Sequence, residues 1–166
     1  NIYMSAARGM RMATETLIES FTLFVKDTEP GLKHALVAAF GREIGLEATA
    51  EALAHGWEHW ERIQAMDNPG GYLWGVGRNK ARASQRRQVK FPALPEARDE
   101  ARWIEPGLPA ALARLSERQR LAVLLIHGYR WTHKEVAEWS GTSVPTVQKH
   151  LERGMAKLRR TMRTEK

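Results

Sequence analysis

The stretch from His133 to Glu152 holds the residues whose types and spacing carry the most chemistry. A helix-turn-helix that reads DNA needs a short first helix packed tightly on a second, with a sharp turn between them, so that the second can enter the major groove. Ala137 is small enough for close helix contact, Gly141 supplies the turn, and Val147 fills the space between the helices. Thr142, Ser143, Thr146, Gln148, Lys149 and Arg153 then project outward as donors, which phosphates and base edges require.

A second cationic feature lies upstream. From Arg78 to Lys90 the charged residues are Arg78, Lys80, Arg82, Arg86, Arg87 and Lys90, with no acid among them. From Lys149 to Arg163 come Lys149, Arg153, Lys157, Arg159, Arg160 and Arg163 against Glu152 alone. Either block by itself reads equally well as a solvated helix face. Both together, on a 166-residue chain with net charge +7 and an isoelectric point near 10.0, point to nucleic acid. The stretch from Asp27 to Glu61 is acidic instead, with Asp27, Glu29, Glu43, Glu47, Glu51, Glu58 and Glu61 against Lys33 and Arg42.

Composition removes several other classes. There is no cysteine, which excludes disulfide scaffolds, thiolate zinc sites, iron–sulfur clusters and cysteine nucleophiles. The longest apolar stretch, Leu121 to Ile126, falls far short of the roughly 18 to 20 residues that span a bilayer. The first residues lack a basic-then-apolar secretory pattern, so the expected location is the cytoplasm. His55 and His59 stand at the spacing of a helical metal pair, but no third ligand is placed, and Trp57 and Trp60 account for that helix as a packing element. Gly75-x-Gly77 and Gly70-Gly71 have no preceding strand and no phosphate-loop Lys. No metal, cofactor or catalytic constellation is expected.

The elements that position these residues all have helical period. Leu17, Ile18, Phe21, Phe24 and Val25 predict a helix over 14–26, and a second is expected to follow with Pro30 in its first turn and Leu32, Leu36, Val37, Phe40 and Ile44 on its stripe. A third runs from Leu46 through Leu53, Trp57 and Trp60 to Ile63. Asn68 as N-cap and Pro69 open a fourth, which carries Tyr72, Leu73 and Val76 and then the first basic block. Between Val89 and Gly107 the period disappears and Pro92, Pro95 and Pro106 interrupt the chain, as in a linker. Beyond it Leu108, Leu112 and Leu115 mark a short helix. Ser116 to Gln119 form a capping box that opens a helix closed by Gly128, and Thr132 to Glu135 form a second box. The last helix starts near Ser143 with Val147, Leu151, Met155 and Leu158 buried. Nothing alternates like a strand, so the expected fold is all-α, with two small helical domains at 10–88 and 108–166 joined by a linker at 89–107.

With these elements in place, the chain from about 14 to 160 resembles the extracytoplasmic-function (ECF) group of bacterial RNA polymerase sigma factors. The strongest part is Leu112 to Arg120, then Tyr129 to Ala137, Ser143 to Val147, and Leu158-Arg159-Arg160, which resemble that family's helix-turn-helix domain for the −35 element. Trp57 and the stretch Tyr72 to Asn79 resemble the end of its polymerase-binding helix and the start of its −10-reading helix. The resemblance implies that Arg78, Asn79, Lys80 and Arg82 face −10 DNA, with Tyr72 and Trp74 as nearby candidates for stacking on an expelled base. It implies that Glu51 and Trp57 lie on the surface that docks the polymerase clamp. Core polymerase, promoter DNA and an anti-sigma factor are the implied partners. Ala48, Thr49 and Ala50 stand where the family usually has an acidic pair and Gln, and Gly75 and Gly77 where longer residues are common. Each Gly costs a helix about 1 kcal/mol relative to Ala, so the reading helix is expected to be weak until DNA or polymerase orders it.

The implied function is promoter-directed initiation in which binding energy takes the place of catalysis. Thr146 to Leu151 are also similar to the effector domain of quorum-sensing-type response regulators, which keeps an operator-binding regulator open as an alternative. A sigma-like interaction protein without initiation activity is a further alternative, on the small residues at 48–50.

Overall fold

The chain was analysed as a computed structural model, and the structure describes residues 2–90 and 107–164. Among them every regular element is helical. Helix α1 spans Ile2–Phe40, α2 Arg42–Glu58, α3 Trp60–Ile63 and α4 Pro69–Lys90. After the linker come α5 (Leu108–Ala113), α6 (Glu117–Val123, continued by a π-helical turn through Gly128), α7 (His133–Ser140) and α8 (Val144–Thr164). Of the linker expected at 89–107, residues 91–106 lie outside the described residues, while Val89 and Lys90 fall within α4.

Several expected boundaries move: α1 starts at Ile2, ahead of the expected 14, and Ile44, expected on the stripe that follows Pro30, lies in α2 beyond a break at Gly41. The first two helices are one, with Pro30 inside α1. Proline removes one backbone donor, and the helix continues because contacts grip it on both sides of the gap. Upstream, Phe21 and Phe24 pack on Trp60 with ring centroids 5.2 and 4.7 Å apart; downstream, Leu32 and Leu36 are wholly buried. The third helix, in turn, breaks at His59, whose φ of −118° and ψ of 19° leave the helical region. The single turn of α3 then carries Trp60 inward, where its indole N–H donates to the Ser20 hydroxyl at 2.7 Å.

The cap signals at Asn68 and Ser116 produce the ends they imply, whereas at Thr132 only half of the expected box forms: its hydroxyl accepts from the Glu135 amide and also donates to the Glu135 carboxylate. Asn68 Oδ1 accepts from the Gly71 amide at 2.9 Å, and the reciprocal box of Ser116 and Gln119 is fully formed. Gly128 does not close α6 in the expected way. The left-handed residue is Arg130, with φ of 59°, after a wide turn in which the Tyr129 amide reaches back to the Leu124 carbonyl.

Helices α1, α2 and α4 pack closely because small residues line their contacts. Ala48 and Thr49 are buried, so two of the three residues that depart from the family pattern face the core and not a docking surface. At Gly77 a Cβ would lie 2.7 Å from a methyl of Leu36, itself wholly buried, whereas Gly75 has nothing within 4 Å. Helix α4 is continuous, and Gly77 is the condition for its close approach to α1.

One core joins the helices on both sides of the linker. Leu121, Leu125, Val136, Ala137 and Val147 are continuous with Leu32, Leu36, Leu73 and Trp74. Gly75 and Gly77, two of the four glycines of α4, should answer substitution oppositely in thermal or urea unfolding. Gly75→Ala should stabilise by up to about 1 kcal/mol through helix propensity. Gly77→Ala should destabilise by about 1–2 kcal/mol, since overpacking outweighs the same propensity gain.

Candidate nucleic-acid interface

Helix α7 is held at its start by Thr132, whose hydroxyl accepts from the Glu135 amide at 3.1 Å. It ends at Gly141, whose φ of 67° lets the chain reverse while the Thr142 amide returns to the Ala137 carbonyl at 3.0 Å. Ser143 then caps α8, accepting from the Thr146 amide at 3.3 Å. Ala137 and Val147 are both buried between the two helices, as the helix-turn-helix spacing requires.

The six outward donors divide by how they are occupied. Thr142 shares a 3.0 Å hydrogen bond with Ser140, Ser143 and Thr146 share one of 2.8 Å, and Gln148 donates to Glu152 at 3.3 Å. Lys149 and Arg153 are exposed and make no hydrogen bond or ion pair with the described residues, so they are the heads available to phosphate. His150, beside them, is half-buried; burial, and then the charges of Arg118, Arg153 and Lys149, hold its pKa below the usual imidazole value.

Along α4 the expected strand-reading residues are separated. Asn79 and Lys80 are exposed. Tyr72 is half-buried, its hydroxyl bonded to a ring nitrogen of His55 at 3.1 Å and accepting from Arg62 at 3.4 Å. Trp74 is 5% exposed and lines a cleft with Arg78, Glu117, Thr142 and His150, so in this arrangement it presents no ring to a base. Arg78 and Arg82 are half-buried and already engaged. Arg78 Nε donates to one carboxylate oxygen of Glu117 at 2.7 Å and Arg82 Nε to the other at 3.0 Å. Of the residues expected at the polymerase surface, Glu51 is half-buried and Trp57 is 43% exposed with its ring against Phe21.

Three features of this region have no local signature in the sequence. Glu117 had a sufficient explanation in the first turn of α6, where a carboxylate complements the helix dipole. The guanidinium of Arg120 donates to the Ala39 carbonyl at the end of α1, from Nε at 2.8 Å. His34 and Tyr129 stack with centroids 4.2 Å apart and planes 13° from parallel. All three depend on which helices meet across the linker, and no local pattern reports that.

Burial, chiefly, also lowers the pKa of His55, aided by the charge of His59. His55 and His150 thus bind a proton less readily in the folded chain than in the unfolded one, whose imidazoles titrate near 6.5. As pH falls through that value the unfolded chain takes up protons first, and stability declines. The melting temperature should be lower at pH 5.5 than at pH 7.5, and a His55→Gln, His150→Gln variant should lose part of that difference.

Residues 107–158 match the family described as Sigma-70, region 4. The chain is also similar to the sigma factor in the co-crystal structure of RpoE with the anti-sigma factor NepR from Bartonella quintana. The TM-score is 0.60 at 18% identity, over 89% of this chain and 99% of that one. No curated protein shows significant sequence similarity to the chain. Residues 107–158 thus match Sigma-70 region 4, in a chain whose fold is similar to that of a sigma factor.

Proposed function

We propose that this chain is an RNA polymerase sigma factor of the extracytoplasmic-function group, which directs core polymerase to specific promoters and acts by binding without catalysing a reaction. The observation that carries the reading is a matched region 4 whose second helix turns Lys149 and Arg153 outward from a well-packed helix-turn-helix. In this reading residues 108–166 hold the −35 duplex, with Thr142, Ser143, Thr146 and Gln148 at the groove. Residues 10–88 bind the polymerase clamp through the face of Glu51 and Trp57, and capture the −10 strand along α4. The linker at 89–107 spans the two promoter elements.

Several features support the division of labour. Among the described residues no helix is long and apolar enough to cross a membrane, in keeping with work in the cytoplasm. The similar sigma factor is bound to an anti-sigma protein, and an anti-sigma partner fits this chain too. Asn79 and Lys80 are exposed on α4, where a displaced strand would pass in this reading.

The deciding experiment is transcription in vitro from a fragmented genomic library, with core polymerase and with or without this protein, followed by sequencing of transcript starts. New starts that share −35 and −10 elements support the proposal. No new starts, despite duplex binding in a gel shift, would move the assignment to an operator-binding regulator. Lys149→Ala with Arg153→Ala should weaken −35 binding and flatten the slope of log affinity against log salt by about 0.9 for each phosphate that is no longer neutralised. Asn79→Ala should reduce open-complex formation, followed by permanganate footprinting, more than it reduces duplex binding.

A further inference from the structure

Two of the four guanidiniums of α4 meet one carboxylate from the other side of the linker. Arg78 and Arg82 stand one helical turn apart, and their Nε atoms divide the two oxygens of Glu117 at 2.7 and 3.0 Å, with Arg82 Nη2 also reaching one of them at 3.4 Å. A carboxylate that takes two arginines in this way satisfies the same donors that a backbone phosphate would. Around this contact the helix groups are joined by three further devices. These are the Arg120 guanidinium on the Ala39 carbonyl, the stack of His34 on Tyr129, and Trp139 pressed against α1 at Gly31, where a Cβ would lie only 2.9 Å from the indole. The cleft beside the ion pairs places Trp74 and Arg78 opposite Thr142 and His150. Closure therefore occupies two arginines of the first basic block while leaving Lys149 and Arg153 open.

We propose that Glu117 is an internal phosphate mimic: in the closed chain it occupies Arg78 and Arg82, and a nucleic-acid strand reaches these arginines only when the helices on the two sides of the linker part. The proposal rests on the reading that Arg78 and Arg82 contact DNA. Its thermodynamic form is simple. Strand affinity is reduced by the fraction of molecules that are open, and anything that weakens closure raises that affinity without adding a contact. The ion pairs are partly exposed, with side-chain exposures of 25% for Arg78, 41% for Arg82 and 21% for Glu117, so they add modestly to a closure that the shared core also holds, and a strand phosphate can replace the carboxylate once the helices part.

The test uses the full chain and a fluorescein-labelled 20-nucleotide single strand of mixed sequence. Because the native chain has no cysteine, Ala54→Cys and Glu138→Cys, both at exposed positions on opposite sides of the linker, accept a donor and acceptor dye for distance measurement. Glu117→Gln should tighten strand binding by about five-fold, the scale set by removal of two partly exposed ion pairs, and should lower energy transfer. Tyr129→Ala removes the stack without changing charge and should act in the same direction on both readouts, while melting curves check that each variant is folded. If Glu117→Gln tightens binding and Tyr129→Ala does not, the effect is local charge and the lock is overturned. If neither variant changes affinity, while Arg78→Ala with Arg82→Ala weakens it, the lock is overturned and the DNA role of α4 stands. If the double arginine variant binds the strand as well as the native chain, the DNA role itself fails and the proposal falls with it.

Discussion

The guanidinium of Arg120 ties together helix ends that no chain connection brings near. It donates to the Ala39 carbonyl at the end of α1 and lies within 3.4 to 3.5 Å of the carbonyls of Leu112, Ala113 and Leu115 at the end of α5. Helix ends leave carbonyls without intrahelical partners, and a cation there complements the negative end of the dipole. Burial disfavours the charge, as the lowered pKa of this group reflects, and the neighbouring Glu117 partly offsets that. A half-buried guanidinium is tolerable only when its donors are satisfied, since hydrogen bonds to a charged group contribute about 1.5–3 kcal/mol and leaving them unmade costs at least as much. The position of α6 against α1 follows from that requirement, and with it the placement of Glu117 over α4.

From this constraint the charge layout becomes intelligible. The two basic blocks look equivalent as sequence but have different surroundings in the fold. The block on α8 turns Lys149 and Arg153 to solvent, where long-range attraction to a polyanion acts first. The block on α4 includes two arginines already engaged by a carboxylate. Under the function proposed above, such a chain would hold duplex through α8 while α4 is kept in reserve.

Small residues set how tightly the helices approach. Ala48, Thr49, Ala52 and Gly77 face inward at the contacts of α1, α2 and α4, and each admits a neighbouring helix at short range. The small residues at 48, 49 and 77 thus have a packing cause, while Glu51 beside them is half-buried and Trp57 is exposed.

The sequence by itself determined the helical class, most of the helix starts and the helix-turn-helix, because caps, turn glycines and apolar period act over a few residues. Ser116 with Gln119, Thr132, Asn68 and Gly141 all produce the local geometry that their types dictate. Tertiary contact decided the rest. It carried α1 through Pro30, broke α2 at His59, buried Trp74 and joined both helix groups in one core. It also paired Arg78 and Arg82 with a residue more than thirty positions away. Those outcomes depend on which surfaces meet across the linker, and burial and ion pairing between distant residues leave no period or spacing in the chain from which they could be read.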